Sequence, residues 1–468
     1  MSSNDQRLPA SFRDPSGFMY RQNGKLYRQI NLVCKDDYDF LMSSGLYQKL
    51  TQRKLLVPHV EVEEQPFFPD RCYKIIQPEE IRFISYPYEW SFSQLKDAAL
   101  RTLVIQKEAL YAEMTLKDAS AYNMQFHNGV PVLIDTLSFA QYHEGDPWVA
   151  YRQFCQHFLV PLALMSYTDV RLSKLMQLYI DGIPLDLGSK LLPRSTRFNF
   201  GLLTHIHLHA QSQQRFSKTA EVEVAENSQR KVSISKLSLI GLIDSLESTV
   251  KKLTWKISKS DWADYYNATN YSDTAFDAKK KIVSDWLHEL APTSVWDLGA
   301  NTGIFSLQAA DLTDCLTISA DIDPGAVEIN YLQCKKNKTK NILPLVLDLT
   351  NPSAAIGWNN QERDSFYQRG PVDVVMALAL IHHLAIANNV PLEKISTLMA
   401  ALGQFLVIEF VPKDDSQVRR LLRSRDDIFD QYHLEGFVAT FENDFVLRKQ
   451  APVSGSKRVM FLFEQKNL

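Results

Sequence analysis

The sequence predicts an α/β protein: a parallel sheet with helices on both faces, preceded by an α+β domain. Three observations carry this. After residue 290 the apolar runs SVWDLG, TISADI, LPLVLDL, VDVVMAL and QFLVIEF alternate with helix-like stretches. That alternation is what parallel βαβ units produce. The first run leads through V-W-D-L-G-A-N-T-G-I-F-S, Val295 to Ser306, a strand, a glycine turn and a helix start. Before about Gln211, short strands and turns give way to helices such as WVAYRQFCQHFLVPLALMSY. With 468 residues the chain is long for one domain. Expected boundaries are a domain over 1–210, a linker with an amphipathic helix over 211–264, and a second domain over 265–468.

Within the bridge, QSQQRFSKTAEVEVAENSQRKVS has few large apolar residues and reads as an exposed loop or linker. The next segment spaces Leu237, Ile240, Ile243, Leu246, Val250 and Leu253 at helical intervals, so an amphipathic helix is expected. Composition narrows the function classes. Apolar residues at 45% and charged residues at 22% describe a globular chain rather than a disordered one. A formal net charge of −3 gives no overall basic field, so nucleic acid is not indicated as a partner. The 5 cysteines are scattered, without C-x-x-C, which argues against a disulfide framework or zinc knuckle and fits the cytoplasm. No apolar leader and no uncharged run of membrane-spanning length is present, so neither a signal peptide nor a span is expected.

Chemistry concentrates in the glycine turn. Asp297 closes a strand and so sits at the carboxyl edge of the sheet, where open α/β sheets bind ligands. Gly299 and Gly303 permit a tight turn and close approach of a ligand to the main chain. The second strand also ends in an acid, Asp321, whose carboxylate can accept hydrogen bonds from two ribose hydroxyls. A dinucleotide fingerprint needs G-x-G-x-x-G facing a pyrophosphate. Here the spacing is G-A-N-T-G with no later glycine, and the preceding acid suits a cationic, amine-bearing ligand. S-adenosylmethionine carries a sulfonium and an amino group and no phosphate.

D-L-G-A-N-T-G resembles the first motif of class I S-adenosylmethionine-dependent methyltransferases, with Asn301 where many members have glycine. Their fold is a Rossmann-like parallel sheet. The resemblance implies that Asp321, with its neighbour Ile322, binds the ribose. It implies that Asp348 and Leu349, after LVLDL, meet the adenine, and that VDVVMALALIHHL is the fourth-strand motif. Upstream, Tyr265, Tyr266 and Tyr271 are candidates to cap the cofactor and Lys279 to reach its carboxylate; anchoring a leading helix is the alternative. His382 and His383 follow the fourth strand, where the methyl acceptor enters, so either is a candidate general base, with a structural role as the alternative. Glu409 in LVIEF is a candidate for acceptor contact or a structural acid.

A second constellation lies in LKDASAYNMQFHNGVPVLID: Asp118, Asn123 and Asp135. In phosphoryl transfer one Asp orients the attacking hydroxyl, while an Asn and a second Asp hold magnesium on the nucleotide phosphates. The spacing resembles the kinase-like superfamily, especially its aminoglycoside phosphotransferase branch. That resemblance implies Asp118 as catalytic, Asn123 and Asp135 as magnesium ligands, and ATP as cofactor. SGFMYRQNGKLYRQI then becomes the nucleotide-covering hairpin and IRFISYPYEW the strand and hinge beside adenine. Leu116-Lys117 stands where the family has H-R or H-G, no G-x-G-x-x-G is present, and Arg28 stands for the strand lysine. A degenerate, substrate-recruiting version is the alternative.

Two features are set aside. His205, His207 and His209 alternate in T-H-I-H-L-H as on one strand face, without an accompanying acid or cysteine, so a solvated face is expected rather than a metal site. Arg419, Arg420, Arg423 and Arg425 read as a charged helix face before they read as an anion clamp. The C-terminal half further resembles bacterial methyltransferases related to a nodulation host-specificity protein, whose setting is glycan modification. The resemblance implies a small-molecule or glycan acceptor, favouring a hydroxyl of a saccharide or lipid-linked glycan. The alternatives are a protein or RNA acceptor recruited by the N-terminal block, or a non-catalytic nucleotide-binding scaffold. Oligomeric state is not readable.

Overall fold

Alternating β-branched and apolar residues, broken by Gly, Asn and Asp turns, set the strands, and the burial of both faces sets their layering. A computed structural model describes residues 6–212, 233–257, 273–312, 314–423 and 425–466. Most of the bridge, together with Tyr265, Tyr266 and Tyr271, lies outside the described residues. The chain forms two compact units, one of Met1–Lys256 with Ala355–Arg363 and one of Ile257–Ala354 with Asp364–Leu468. Among the described residues, no helix is long and apolar enough to cross a membrane.

The first unit begins with a five-stranded antiparallel sheet in the order β1 (Gln6–Arg7), β2 (Gly17–Gln22), β3 (Lys25–Asn31), β5 (Cys72–Pro78), β4 (His59–Val62). Asn23 and Gly24, at φ 52° and 77°, make the two-residue β2–β3 turn, whose twist favours just these residues. Helices α1 (Lys35–Ser43) and α2 (Leu46–Gln52) join β3 to β4. Helix α3 (Phe92–Tyr111) starts on a capping box of Ser91 and Gln94. Two small antiparallel pairs follow: β6 (Met114–Leu116) with β9 (Phe139–Gln141), and β7 (Met124–His127) with β8 (Val130–Leu133).

Three expectations for this unit need correction. Ile81–Trp90 is not a strand: β5 ends at Pro78, and Pro87–Glu89 is a helical turn in which Tyr86 N–H donates to Glu89 at 3.0 Å. The run THIHLH is helical, continuing from Leu203–Leu208 through His209, and His205 and His207 are buried rather than solvated. Their period of two mimics a strand, but hydroxyls meet both rings. Tyr151 and Ser245 lie 2.8 and 2.9 Å from the His205 nitrogens, and Ser189 and Thr196 lie 2.7 and 2.9 Å from those of His207. The helix Lys236–Lys252 is amphipathic, but its buried face is Leu239, Ile243, Leu246 and Val250, while Leu237 is exposed. This face lies on α3, where Lys107 pairs with Asp244 and Lys96 Nζ donates to the Leu253 carbonyl at 2.7 Å.

The second unit holds a seven-stranded sheet in the order β12 (Ile342–Val346), β11 (Leu316–Asp321), β10 (Ser294–Leu298), β13 (Val372–Ala377), β14 (Gly403–Phe410), β16 (Val459–Gln465), β15 (Phe445–Pro452). The first five strands are parallel and β16 runs antiparallel to both its neighbours. This is a methyltransferase-like α/β fold. The chain winds outward from β10 to β12, then returns to β13 on the other side of β10, so the order reverses there and opens a crevice at the carboxyl edge. One face packs on the helix Asp273–Leu290 through Val283, Trp286 and Leu287 against Val295, Val374 and Val407. On β16 the alternation is apolar on both sides. Met460 and Leu462 join that layer, while Phe461 packs at a tilt on Phe437 and Phe463 stacks with Phe441 of the helix Leu434–Phe441.

Candidate functional site

Three residues in the turn after β10 take the left-handed conformation: Gly299 at φ 76°, Asn301 at 52° and Gly303 at 81°. Asn serves at 301 because a short polar side chain tolerates this region, and its Oδ1 accepts the Thr302 N–H at 2.8 Å. Gly303 is sterically required as well, since a Cβ there would lie 2.4 Å from Asn330 Nδ2. The turn is tied to the second strand: Gly299 and Ala300 N–H donate to the Ala320 carbonyl at 2.9 and 3.0 Å. The Asn301 N–H donates to Asp321 Oδ2 at 2.7 Å, and Asp323 N–H to Asp321 Oδ1 at 2.8 Å. Asp321 is therefore aimed by two backbone donors, while each oxygen keeps a further lone pair.

A cavity of ~280 Å³ opens at this edge. Gly299, Asn301, Asp321 and Asp348 give it polar lining, with Ile322 and Leu349, and Leu378, Leu384 and Leu421 add apolar lining. Of the residues anticipated from sequence, these first six together with Lys279 and His383 line one cavity. Asp297 does not line it. It is buried behind the turn and accepts the Ser306 hydroxyl at 2.6 Å, which places it as a support for the glycine turn. Burial pushes both Asp297 and Asp321 up to about 6, against the hydrogen bonds that favour their ionised forms.

Glu409 is fully buried, at 0% exposure, and does not line the cavity. It accepts from Lys279 Nζ at 2.5 Å and lies 3.4 Å from Arg458, which also reaches Asp415 at 2.8 Å. A chain of alternating charge, Lys279–Glu409–Arg458–Asp415, thus runs under the site. Burial pushes the Lys279 ammonium down and Glu409 opposes that shift. Lys279 borders the cavity with its ammonium already engaged, so the lysine assigned to a cofactor carboxylate has a protein carboxylate as partner. The two histidines separate in role. His382 is buried with neither ring nitrogen bonded, while His383 borders the cavity, its ring 4.0 Å from that of His382. Burial, with Arg458 nearby, pushes His383 down to about 4, so its ring is neutral at pH 7.

In the first unit Asp118, Asn123 and Asp135 are brought together, but each is engaged by the protein. Asp118 accepts the Ser120 N–H at 2.9 Å and side-chain bonds from Gln153 and Asn123. Asn123 Nδ2 donates to Ser138 at 3.3 Å. Asp135 accepts the Leu137 N–H at 2.8 Å and pairs with Arg28 at 2.6 Å. No group of three or more His, Cys, Asp or Glu side chains forms a metal cage among the described residues.

Among curated proteins, nodulation protein NoeA of Rhizobium meliloti (strain 1021) is 34% identical over 462 residues, spanning 98% of this chain and 96% of NoeA. The chain belongs to the NoeA family. No protein-family model matches it. Solved structures with partial likeness include the N-methyltransferase NodS of Bradyrhizobium japonicum WM9, 12% identical over 42% of this chain and 99% of NodS, TM-score 0.31. The bifunctional kinase-methyltransferase WbdD is 14% identical over 43% of this chain and 41% of WbdD, TM-score 0.31. The magnesium protoporphyrin IX methyltransferase of Synechocystis PCC 6803, with bound SAH, is 16% identical over 44% of this chain and 93% of that chain, TM-score 0.31. Strand order and direction, rather than these likenesses, define the fold of the second unit.

In this NoeA-family chain several site residues carried no local sign. Arg458 lies in the plain stretch SGSKRVMFLF, and its partners Glu409 and Asp415 come from another strand end. Arg425, placed with a charged helix face, instead bonds the Ile386 and Ala387 carbonyls and Asn389, and so ties its segment to the cavity wall next to Leu421. The Ser306 hydroxyl under Asp297 was equally silent; only its place three residues after the turn glycine Gly303 hinted at contact.

Proposed function

We propose that the protein transfers the methyl group of S-adenosylmethionine to a hydroxyl of a saccharide or lipid-linked glycan. One observation carries the cofactor reading: a buried carboxylate, Asp321, is aimed by backbone donors into a cavity at the switch point of the sheet, beside a left-handed glycine turn. Asp321 suits two ribose hydroxyls. Ile322 and Leu349 offer an apolar slot beside Asp348 for a purine. The turn at Gly299 and Asn301 leaves main chain open to an amino acid moiety. The sulfonium supplies an activated methyl when bound. The protein has to hold an acceptor oxygen in line with it, where orientation supplies much of the acceleration. On this reading His383, on the cavity wall, takes the acceptor proton, as a base weakened by its burial.

The saccharide acceptor rests on membership of a nodulation-protein family and on the sequence resemblance to methyltransferases whose setting is glycan modification. On this reading the methyltransferase domain is 265–468, the setting is the cytoplasm, and 1–210 is a kinase-like domain. Supporting the last point are the β2–β3 hairpin, the helices α1 and α2 between β3 and β4, and the way β6 to β9 gather Asp118, Asn123 and Asp135. The test is calorimetry of S-adenosylmethionine with the full chain and with Asp321→Ala, which should weaken binding at least tenfold; unchanged affinity refutes the cofactor site. Labelled methyl transfer from S-adenosylmethionine into separated lipid-linked glycan, protein and RNA fractions then decides the acceptor. Label confined to protein or RNA overturns the saccharide reading.

A further inference from the structure

We propose that Arg28, and not a metal ion, is the cation of the Asp118–Asn123–Asp135 constellation, so that the first unit holds no catalytic magnesium and transfers no phosphoryl group. The inference rests on the kinase-like reading of residues 1–210. Arg28 is buried, at 7% exposure, on β3. Its guanidinium lies between two carboxylates, Asp135 at 2.6 Å and Asp14 at 3.6 Å.

Magnesium takes oxygen ligands at about 2.0–2.1 Å in near-octahedral geometry and keeps several waters, usually on one or two carboxylates plus substrate phosphates. Asp135 Oδ1, which would be such a ligand, already accepts from Arg28 and from the Leu137 N–H. A divalent ion on that carboxylate would stand beside a guanidinium that never loses its proton. Arg28 could yield only by leaving its partners while buried, and an unpaired buried charge is strongly unfavourable. Asn123 does not compensate: its amide oxygen is a neutral ligand that cannot offset the neighbouring guanidinium, and its nitrogen is bonded to Ser138 and to Asp118, which accepts from Ser120 N–H and Gln153 as well. The acids that read as a metal site in sequence are therefore already tied to an internal cation, with Asp135 at 2.6 Å and Asp14 at 3.6 Å from Arg28. A compact ammonium in place of Arg28 would leave the carboxylate free to share; a planar guanidinium, held by two acids, does not.

The experiment uses the full chain and Mn²⁺ as probe, counted by the loss of the free-ion signal in electron paramagnetic resonance. Wild-type protein is expected to bind no Mn²⁺ that the Asp135→Asn variant loses. Arg28→Gln, shown folded by circular dichroism, is expected to raise bound Mn²⁺ at least tenfold, and Arg28→Gln with Asp135→Asn to return it to the wild-type level. Wild-type binding that disappears in Asp135→Asn overturns the proposal, and so does a folded Arg28→Gln protein without the gain. If Arg28→Gln does not fold, the wild-type and Asp135→Asn titrations still decide. A separate arm measures the thermal shift by ATP in EDTA and in magnesium. A shift that needs magnesium overturns the proposal, and a shift in EDTA supports it. No shift in either defeats the kinase-like reading, separately from the Mn²⁺ result.

Discussion

Asp321 is buried at a cost that a bound cofactor would offset. Burial raises its carboxyl to about 6, and a ligand bearing ribose hydroxyls and a cationic sulfonium favours the ionised form. The free protein then holds a proton below pH 6 that binding must expel. Affinity for S-adenosylmethionine should be flat above about pH 7 and fall as the pH drops through 6, as calorimetry between pH 5 and 8 will read. A flat profile in that range would contradict the assignment. Asp321→Ala should cost more affinity than Asp297→Ala, because Asp321 lines the cavity whereas Asp297 supports the turn from behind. At this scale the sequence was legible where the chemistry is local: a strand-end acid and left-handed glycines sit next to the groups they serve. Asp297's true partner, Ser306, is also near in sequence, yet a serine gives no sign of what its hydroxyl will meet.

Between elements, the charges under the cavity join the helix Asp273–Leu290, β14 and the start of β16 through Lys279, Glu409 and Arg458. Breaking a buried pair leaves the surviving charge uncompensated, which costs about 3–5 kcal/mol, whereas replacing both partners with apolar groups is often close to neutral. Glu409→Gln should therefore destabilise strongly in denaturant titration, and Lys279→Met with Glu409→Leu should recover most of the loss. Equal losses in the single and double variants would show that the pair is not coupled. Histidines add a pH dependence in the first unit. Burial lowers His205 to about 4, so between about pH 6.5 and 4 the unfolded chain binds a proton that the folded chain does not. Its contribution is present above pH 6.5 and is lost as pH falls towards 4; replacing His205 with Gln should flatten the fall in melting temperature across that window. The alternation of strands and helices in the second unit was readable from periodicity, but the strand order, the buried face of Lys236–Lys252 and T-H-I-H-L-H were not. A period of two suits a strand unless, as here, hydroxyls from Tyr151, Ser245, Ser189 and Thr196 wait on several sides.

At the scale of the whole chain, the boundary between the units is not a single point. Ala355–Arg363 lies in sequence between β12 and β13 of the second sheet but belongs to the first unit. Glu362 in this segment is buried and takes two bonds from Arg13, at 3.0 and 2.8 Å, and Arg363 lies 4.5 Å over the Tyr122 ring. Nothing local in A-A-I-G-W-N-N-Q-E-R marks this destination, because its partners are hundreds of residues away in sequence; a division at one linker was the natural expectation. The consequence can be measured by amide hydrogen exchange, which reads local opening where a single melting transition would not describe a chain of two units. A fragment of residues 1–256 lacks the segment, so exchange around Arg13 and Tyr122 should be faster than in the full chain. Glu362→Gln, in the full chain, removes the charge that holds Arg13 and should weaken local protection by about 1.5–3 kcal/mol, the usual range for a hydrogen bond to a charged group. If the fragment and the full chain protect these residues equally, residues 355–363 add nothing to the first unit and its fold is complete by Lys256. If protection falls only in the fragment and not in Glu362→Gln, Arg363 and the segment's backbone hold the unit, and the Arg13 pair is incidental.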